Sequence, residues 1–138
     1  MNVLIDTSVW SLAFREKEKT DYELTLINYV SDIIRDLRAV MIGPIRQEIL
    51  SGISDELKFL EMQNTLSVFS DWPLETEDYE LAAQFYNTCR KNGIQGSHID
   101  YLICAAAFRN NFKILTLDKD FEHYRKYTGI LLDNQTFD

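Results

Sequence analysis

An α/β domain on a short, mostly parallel sheet is the fold class this sequence predicts, with an unusually high share of helix. Three observations predict it. Short apolar runs such as Val3-Leu4-Ile5 and Ala39-Val40-Met41-Ile42 alternate with stretches whose apolar residues recur at helical spacing. The runs are continuous in hydrophobicity, as strands buried on both faces are. Helix-start and helix-stop residues punctuate the chain: Pro44, Ser54, Thr76 and Ser97 at starts, Gly52 and Gly93 at ends.

In chain order, Val3 to Asp6 predicts a buried strand and Ser8 to Arg15 a first helix, with a polar loop from Arg15 to Asp21. Tyr22 to Leu37 is helical, because Leu26, Tyr29, Val30, Ile33, Ile34 and Leu37 recur at helical spacing. Ala39 to Ile42 is a second strand, stopped by Gly43-Pro44. Pro44 opens the next helix in its first turn, where no N–H is needed, and that helix runs to about Leu50. Ser54 caps a helix over Asp55 to about Val68. Thr76 begins another, with Glu77 and Asp78 where acids complement the helix dipole and Gly93 past its end. Ser97 begins a helix reaching about Asn110. Lys113 to Thr116 is a strand, Lys119 to about Tyr127 a helix, and Ile130 to Leu132 a last short strand.

The bulk numbers set outer bounds. A chain of 138 residues suits one domain, 1–138, and is short for two. With 46% hydrophobic and 26% charged residues, it can bury a real core and does not have a disordered composition. A net charge of −8 argues against affinity from a broad basic face gripping nucleic acid, and suits a basic protein partner. Cys89 and Cys104 have no metal-ligand spacing; Cys104 sits in the apolar stretch Tyr101 to Phe108 and reads as a buried free thiol. The expected location is therefore cytoplasmic. No secretory signal is visible, and that apolar stretch is far short of the roughly 20 residues a membrane helix needs, so no membrane role is expected.

Four acids stand out. Asp6 ends the first strand and Asp118 follows Ile114-Leu115-Thr116-Leu117, so both fall at carboxyl ends of strands, where open α/β sheets bind ligands. Glu48 shares a helix stripe with Ile45, Ile49, Gly52 and Ile53, and Asp100 is in register with Ile103, Cys104 and Ala107. An ionised carboxylate on such a stripe is costly unless paired, protonated or bound to a cation. No Lys or Arg lies three or four residues from Glu48 or Asp100. Each acid also has an ordinary reading. Asp6 and Asp118 suit helix caps, Ser97-x-x-Asp100 is close to a capping box, and Glu48 suits the edge of a face. Together these would be four separate coincidences at one end of one sheet. If the acids converge, a hard divalent cation is what offsets their repulsion.

Other candidates carry less. Ser8 and Thr7 read first as helix-start residues, with hydroxyls that could also bond a metal-bound water or phosphate; Thr116, at a strand end beside Asp118, carries the same two readings equally. Asp120 reads as a supporting acid or as a first-turn acid complementing the dipole. His98 and His123 have no evident orienting partner, and Trp10, Phe14, Phe85 and Phe108 sit at core spacings. A phosphate-binding glycine loop is absent.

The segments Val-Leu-Ile-Asp-Thr-Ser-Val-Trp at 3–10, Glu48 after the second strand, Ile-Asp-Tyr-Leu-Ile-Cys-Ala-Ala-Ala at 99–107 and Ile-Leu-Thr-Leu-Asp-Lys-Asp-Phe at 114–121 resemble a PIN domain, and among PIN domains a VapC-type toxin nuclease. The resemblance runs from residue 3 to about residue 132. It implies a PIN-like three-layer domain and an endoribonuclease with Asp6, Glu48, Asp100 and Asp118 around Mg²⁺ or Mn²⁺. Asp6 and Asp100 would be direct ligands, with Glu48 and Asp118 acting partly through water. Thr116, Ser8 and Asp120 would support them. The resemblance further implies RNA as substrate, cleavage leaving a 5′-phosphate and a 3′-hydroxyl, a homodimer, and a small antitoxin with a basic tail as partner. Arg15, Arg46, Lys113 and Lys119 are the local cations expected to guide an RNA backbone. The alternatives are a non-toxin PIN nuclease in RNA processing, an aspartate-nucleophile phosphatase, for which residue 8 is serine rather than the usual second aspartate, and a catalytically silent PIN-like binding module.

Overall fold

The computed structural model describes residues 1–133. Its elements run β1 (Val3–Ile5), α1 (Thr7–Phe14), α2 (Asp21–Arg35), β2 (Ala39–Val40), α3 (Gly43–Ser51), α4 (Glu56–Leu66), α5 (Thr76–Lys91), α6 (His98–Asn110), β3 (Lys113–Leu115), α7 (Asp120–Thr128) and β4 (Leu131–Leu132). The four strands form one parallel sheet in the order β2-β1-β3-β4. This is the expected PIN-like arrangement of a short parallel sheet flanked by helices. Parallel neighbours cannot be joined by hairpins, so every connection carries helix. That is why a chain with so little strand is mostly helical.

β1 is central, and all three of its residues are buried. Helix α6 forms the middle of the core. Tyr101, Leu102, Ile103, Cys104, Ala105, Ala106 and Ala107 are buried in succession, which a helix tolerates only when it is covered all round. Both cysteines are free and buried, Cys104 as expected from its apolar setting. No helix among the described residues is long and apolar enough to cross a membrane.

Caps set the helix limits. Thr20 and Glu23 exchange hydrogen bonds of 3.1 and 2.9 Å at the start of α2, a full capping box. Helices α2, α5 and α6 end in the same left-handed turn, at Leu37 (φ 58°), Gly93 (φ 77°) and Asn111 (φ 58°). In each the following N–H reaches back to the helix, Arg38 to Ile33, Ile94 to Cys89 and Phe112 to Ala107, at 2.9–3.0 Å. Leu37 is therefore not the last member of the apolar stripe of α2. It occupies a turn position that favours glycine and is 90% exposed.

Two other expectations need correction. The fourth helix stops at Leu66, short of Val68, which is 78% exposed. Phe108 is 51% exposed rather than core, because the buried run of α6 ends at Ala107. Its ring covers Gly129 instead, where a Cβ would lie 3.2 Å from Phe108 Cε2.

Candidate functional site

The site grows out of the pairing of β1 with β3, which matches Ile5 to Leu115 at the carboxyl ends of both strands. Asp6 and Thr116 are the next residues, and the sheet places them side by side. Asp6 occupies the N-cap position of α1, yet its side chain makes no cap hydrogen bond. Its Oδ2 accepts instead from the hydroxyls of Ser8 and Thr116, each at 2.8 Å. Those hydroxyls are themselves held by backbone N–H groups: Leu117 donates to Ser8 Oγ at 3.0 Å, and Asp118 to Thr116 Oγ1 at 2.9 Å. Two amides of the β3–α7 turn thus reach Asp6 through two hydroxyls. The carboxylate is buried and fixed in orientation, while Oδ1 has no protein donor among the described residues.

Glu48 comes from α3, which packs against α1. It is half-buried, and Oε1 accepts from the Thr7 hydroxyl at 2.7 Å. A solvent-facing edge residue would not need this bond to a side chain 41 positions away.

Asp100 lies in the first turn of α6, whose N-cap Ser97 accepts the Asp100 N–H at 3.0 Å. The Asp100 carboxylate turns to α7, where the Tyr124 hydroxyl donates to Oδ2 at 2.8 Å. Burial raises the Asp100 pKa from the ordinary 3.8 to about 6. The charges of Asp6 and Asp118 push the same way, while the hydroxyls of Tyr124 and Ser97 oppose the rise. The Tyr124 phenol is driven up in turn by burial, by its bond to Asp100 and by the charges of Asp100 and Asp120, so it remains a donor.

Asp118 is half-buried, and its Oδ1 accepts the Asp120 N–H at 2.9 Å. For that oxygen the helix-start reading holds. Asp120 itself is exposed in the first turn of α7.

Asp6 and Asp118 thus both lie close enough to act on Asp100, and Glu48 is tied to the group through Thr7, the neighbour of Asp6. Among the described residues, however, no three acidic, histidine or cysteine side chains are grouped so as to hold an ion by themselves. None of the described ion pairs includes any of the four acids. Carboxylates without an ion pair among the described residues, with oxygen as their donor atom, have the chemistry that suits a hard divalent cation.

Of the expected backbone-guiding cations, Lys119 lies beside Asp118, and Arg15 is exposed after α1. Arg46 is not free for RNA. It bonds Asp71 Oδ1 at 3.0 Å and the Leu66 and Phe69 carbonyls, holding the segment after α4 against α3. Lys113 opens β3 and is at the opposite end of the strand from the site. His98 and His123 are exposed, and the His98 ring stacks on Tyr86.

Sequence reasoning missed Tyr124 as part of the site, and Gly96 with it. A Cβ at Gly96 would lie 2.7 Å from the Tyr124 hydroxyl and 2.8 Å from Tyr101 Cζ. Spacing on α7 places Tyr124 with the buried Phe121 and Thr128, which reads as core alone.

A parallel α/β sheet carrying acids at the carboxyl ends of its two central strands defines the class of this protein. The model of the PIN domain matches residues 3–127, and the chain belongs to that family. No curated protein matches the sequence. Among solved structures it is similar to FitAcB from Neisseria gonorrhoeae, with a TM-score of 0.76 at 17% identity over 96% of both chains. It is also similar to VapBC2 from Rickettsia felis bound to a DNA fragment from their promoter, with a TM-score of 0.72 at 11% identity over 99% of this chain and 100% of that one. VapBC-1 from nontypeable Haemophilus influenzae gives 0.73 at 14% identity over 96% of this chain and 97% of that one. At these identities the likeness is one of fold.

Proposed function

We propose that this PIN domain, spanning 1–138 as a single unit, is a Mg²⁺-dependent endoribonuclease and the toxin of a toxin–antitoxin pair. The observation that carries the nuclease is the Asp6 carboxylate, buried without an ion pair and aimed by Ser8 and Thr116 rather than spent on a helix cap. Asp6 and Asp100 would hold the cation directly, with Glu48 and Asp118 completing the set and Thr116, Ser8 and Asp120 in support. When bound, Mg²⁺ or Mn²⁺ would activate water and offset charge developing on the phosphate. The chain's own part is orientation. Thr7 holds Glu48, Tyr124 holds Asp100, and the two hydroxyl bridges hold Asp6, so the carboxylates need not reorganise as charge develops.

The toxin reading rests on fold likeness to FitAB and VapBC assemblies together with charge. A net charge of −8 suits a partner that is a small antitoxin with a basic tail. The reading includes a homodimer; a groove of about 650 Å³ between α3, α5 and α6, lined by Pro44, Tyr86, Ile99 and Leu102 beside Gln47, Asn87 and His98, is an open and largely apolar face for a partner of either kind. Sedimentation at micromolar concentration should give twice the chain mass, and a monomer would remove that assignment.

The nuclease test is cleavage of single-stranded RNA with Mg²⁺, with chelator and after Mg²⁺ is restored. Cleavage should be lost with chelator and recovered with metal. Activity indifferent to chelator would refute the acidic site, and no cleavage of any RNA alongside tight RNA binding would favour the silent binding module. Growth arrest on expression, relieved by the protein encoded next to it, separates a toxin from a PIN nuclease of RNA processing.

A further inference from the structure

We propose that Tyr124 is a positioning residue for the acidic site: its phenol holds Oδ2 of Asp100, leaving Oδ1 as the oxygen offered to a divalent cation. The inference rests on the metal-site reading above and adds to it a residue outside the acid set.

The geometry is specific. Tyr124 is fully buried, with its ring 5.1 Å from that of Phe121 and 5.0 Å from that of Tyr101. The hydroxyl crosses from α7 to α6 and donates to Asp100 at 2.8 Å. To reach it, the phenol passes over Gly96, just before the N-cap of α6, at a distance that no side chain would permit. The absence of a Cβ at Gly96 and the presence of a hydroxyl at Tyr124 are therefore two halves of one arrangement. A phenylalanine would fill the same space among the same rings. What the hydroxyl adds is control of the carboxylate, and partners of metal-binding carboxylates set both orientation and affinity.

A purely structural alternative is that Asp100 serves only to satisfy a buried phenol. The two separate in metal affinity. Mg²⁺ and Mn²⁺ would be titrated by calorimetry into the metal-free full chain as wild type, Tyr124→Phe, Gly96→Ala and the double variant, with RNA cleavage followed against Mg²⁺ concentration. Tyr124→Phe should weaken cation binding about 10-fold or more. The Mg²⁺ concentration for half-maximal cleavage should move by the same factor. Gly96→Ala retains the hydroxyl but displaces it, so it should weaken binding in the same direction. The double variant should bind no more weakly than Tyr124→Phe alone, because both remove one interaction. Unchanged affinity in Tyr124→Phe would overturn the proposal. If the wild type bound no cation at all, the metal-site reading itself would fail, which is a different result from these.

Discussion

Asp6→Asn should abolish Mg²⁺-dependent RNA cleavage, by several hundredfold or more, while leaving the fold intact. The amide oxygen of asparagine can accept the Ser8 and Thr116 hydroxyls that now donate to Oδ2 at 2.8 Å, so the hydrogen-bonded turn behind the site survives. What is lost is the negative charge and the second oxygen, the one without a donor among the described residues. A several-hundredfold loss corresponds to about 3–4 kcal/mol of transition-state stabilisation, at roughly 1.4 kcal/mol per tenfold. The check is kcat/KM on one RNA at saturating Mg²⁺, read beside a thermal melt. Retained cleavage would remove Asp6 from the site. A collapsed melt would instead mean that its role is to hold the β1–α1 junction. Ser8→Ala and Thr116→Val each remove one of the two bonds to Oδ2, and their losses should fall well short of that of Asp6→Asn.

The acids were legible because two independent patterns met on them. Glu48 and Asp100 interrupt apolar helix stripes, and Asp6 and Asp118 close apolar strand runs. Both patterns follow from burial, which the order of residues records directly. The part that stayed hidden depends on contacts between distant elements. Nothing in the local sequence says that Asp6, at a cap position, leaves the cap empty, since that follows from β3 placing Thr116 beside it. Tyr124 lies 24 residues from Asp100, on a helix face whose spacing already explains it as core. Gly96 is informative only once that tyrosine is known to pass over it. The errors have the same origin. Arg46 reads as a free cation until the segment after α4 folds back to supply Asp71 and two carbonyls. Leu37 continues a stripe in sequence, but the backbone has already turned left-handed there. Lys113 is different, since strand direction alone would have put it at the far end of β3.

Asp100→Asn separates the metal role from the fold more sharply, because it should destroy activity and raise stability together. Burial, joined by the charges of Asp6 and Asp118, raises the Asp100 pKa from 3.8 to about 6 in the folded chain. Between those two values the folded form holds a proton that the unfolded form has released, so stability falls as pH rises through this window. The side chain is neutral and harmless to the fold below about 3.8, and its ionised form is a burden above about 6. Carried over in full, the displacement would be worth about 3 kcal/mol at neutral pH, and screening of this half-buried group reduces that to ~1 kcal/mol. Asparagine carries no such burden and still accepts the Tyr124 hydroxyl. Metal-free Asp100→Asn should therefore melt about 3 °C above wild type at pH 7.5. The gap should shrink as pH falls toward 5, where the wild-type carboxyl takes up its proton. Saturating Mg²⁺ should reverse the order, because the cation stabilises only the chain that binds it. Cleavage by the variant should be lost at every pH. A variant that melts lower than wild type without metal at pH 7.5 would show that the carboxylate is satisfied by the protein alone. Asp100 would then owe its partial burial to packing and to its Tyr124 bond, and to nothing bound.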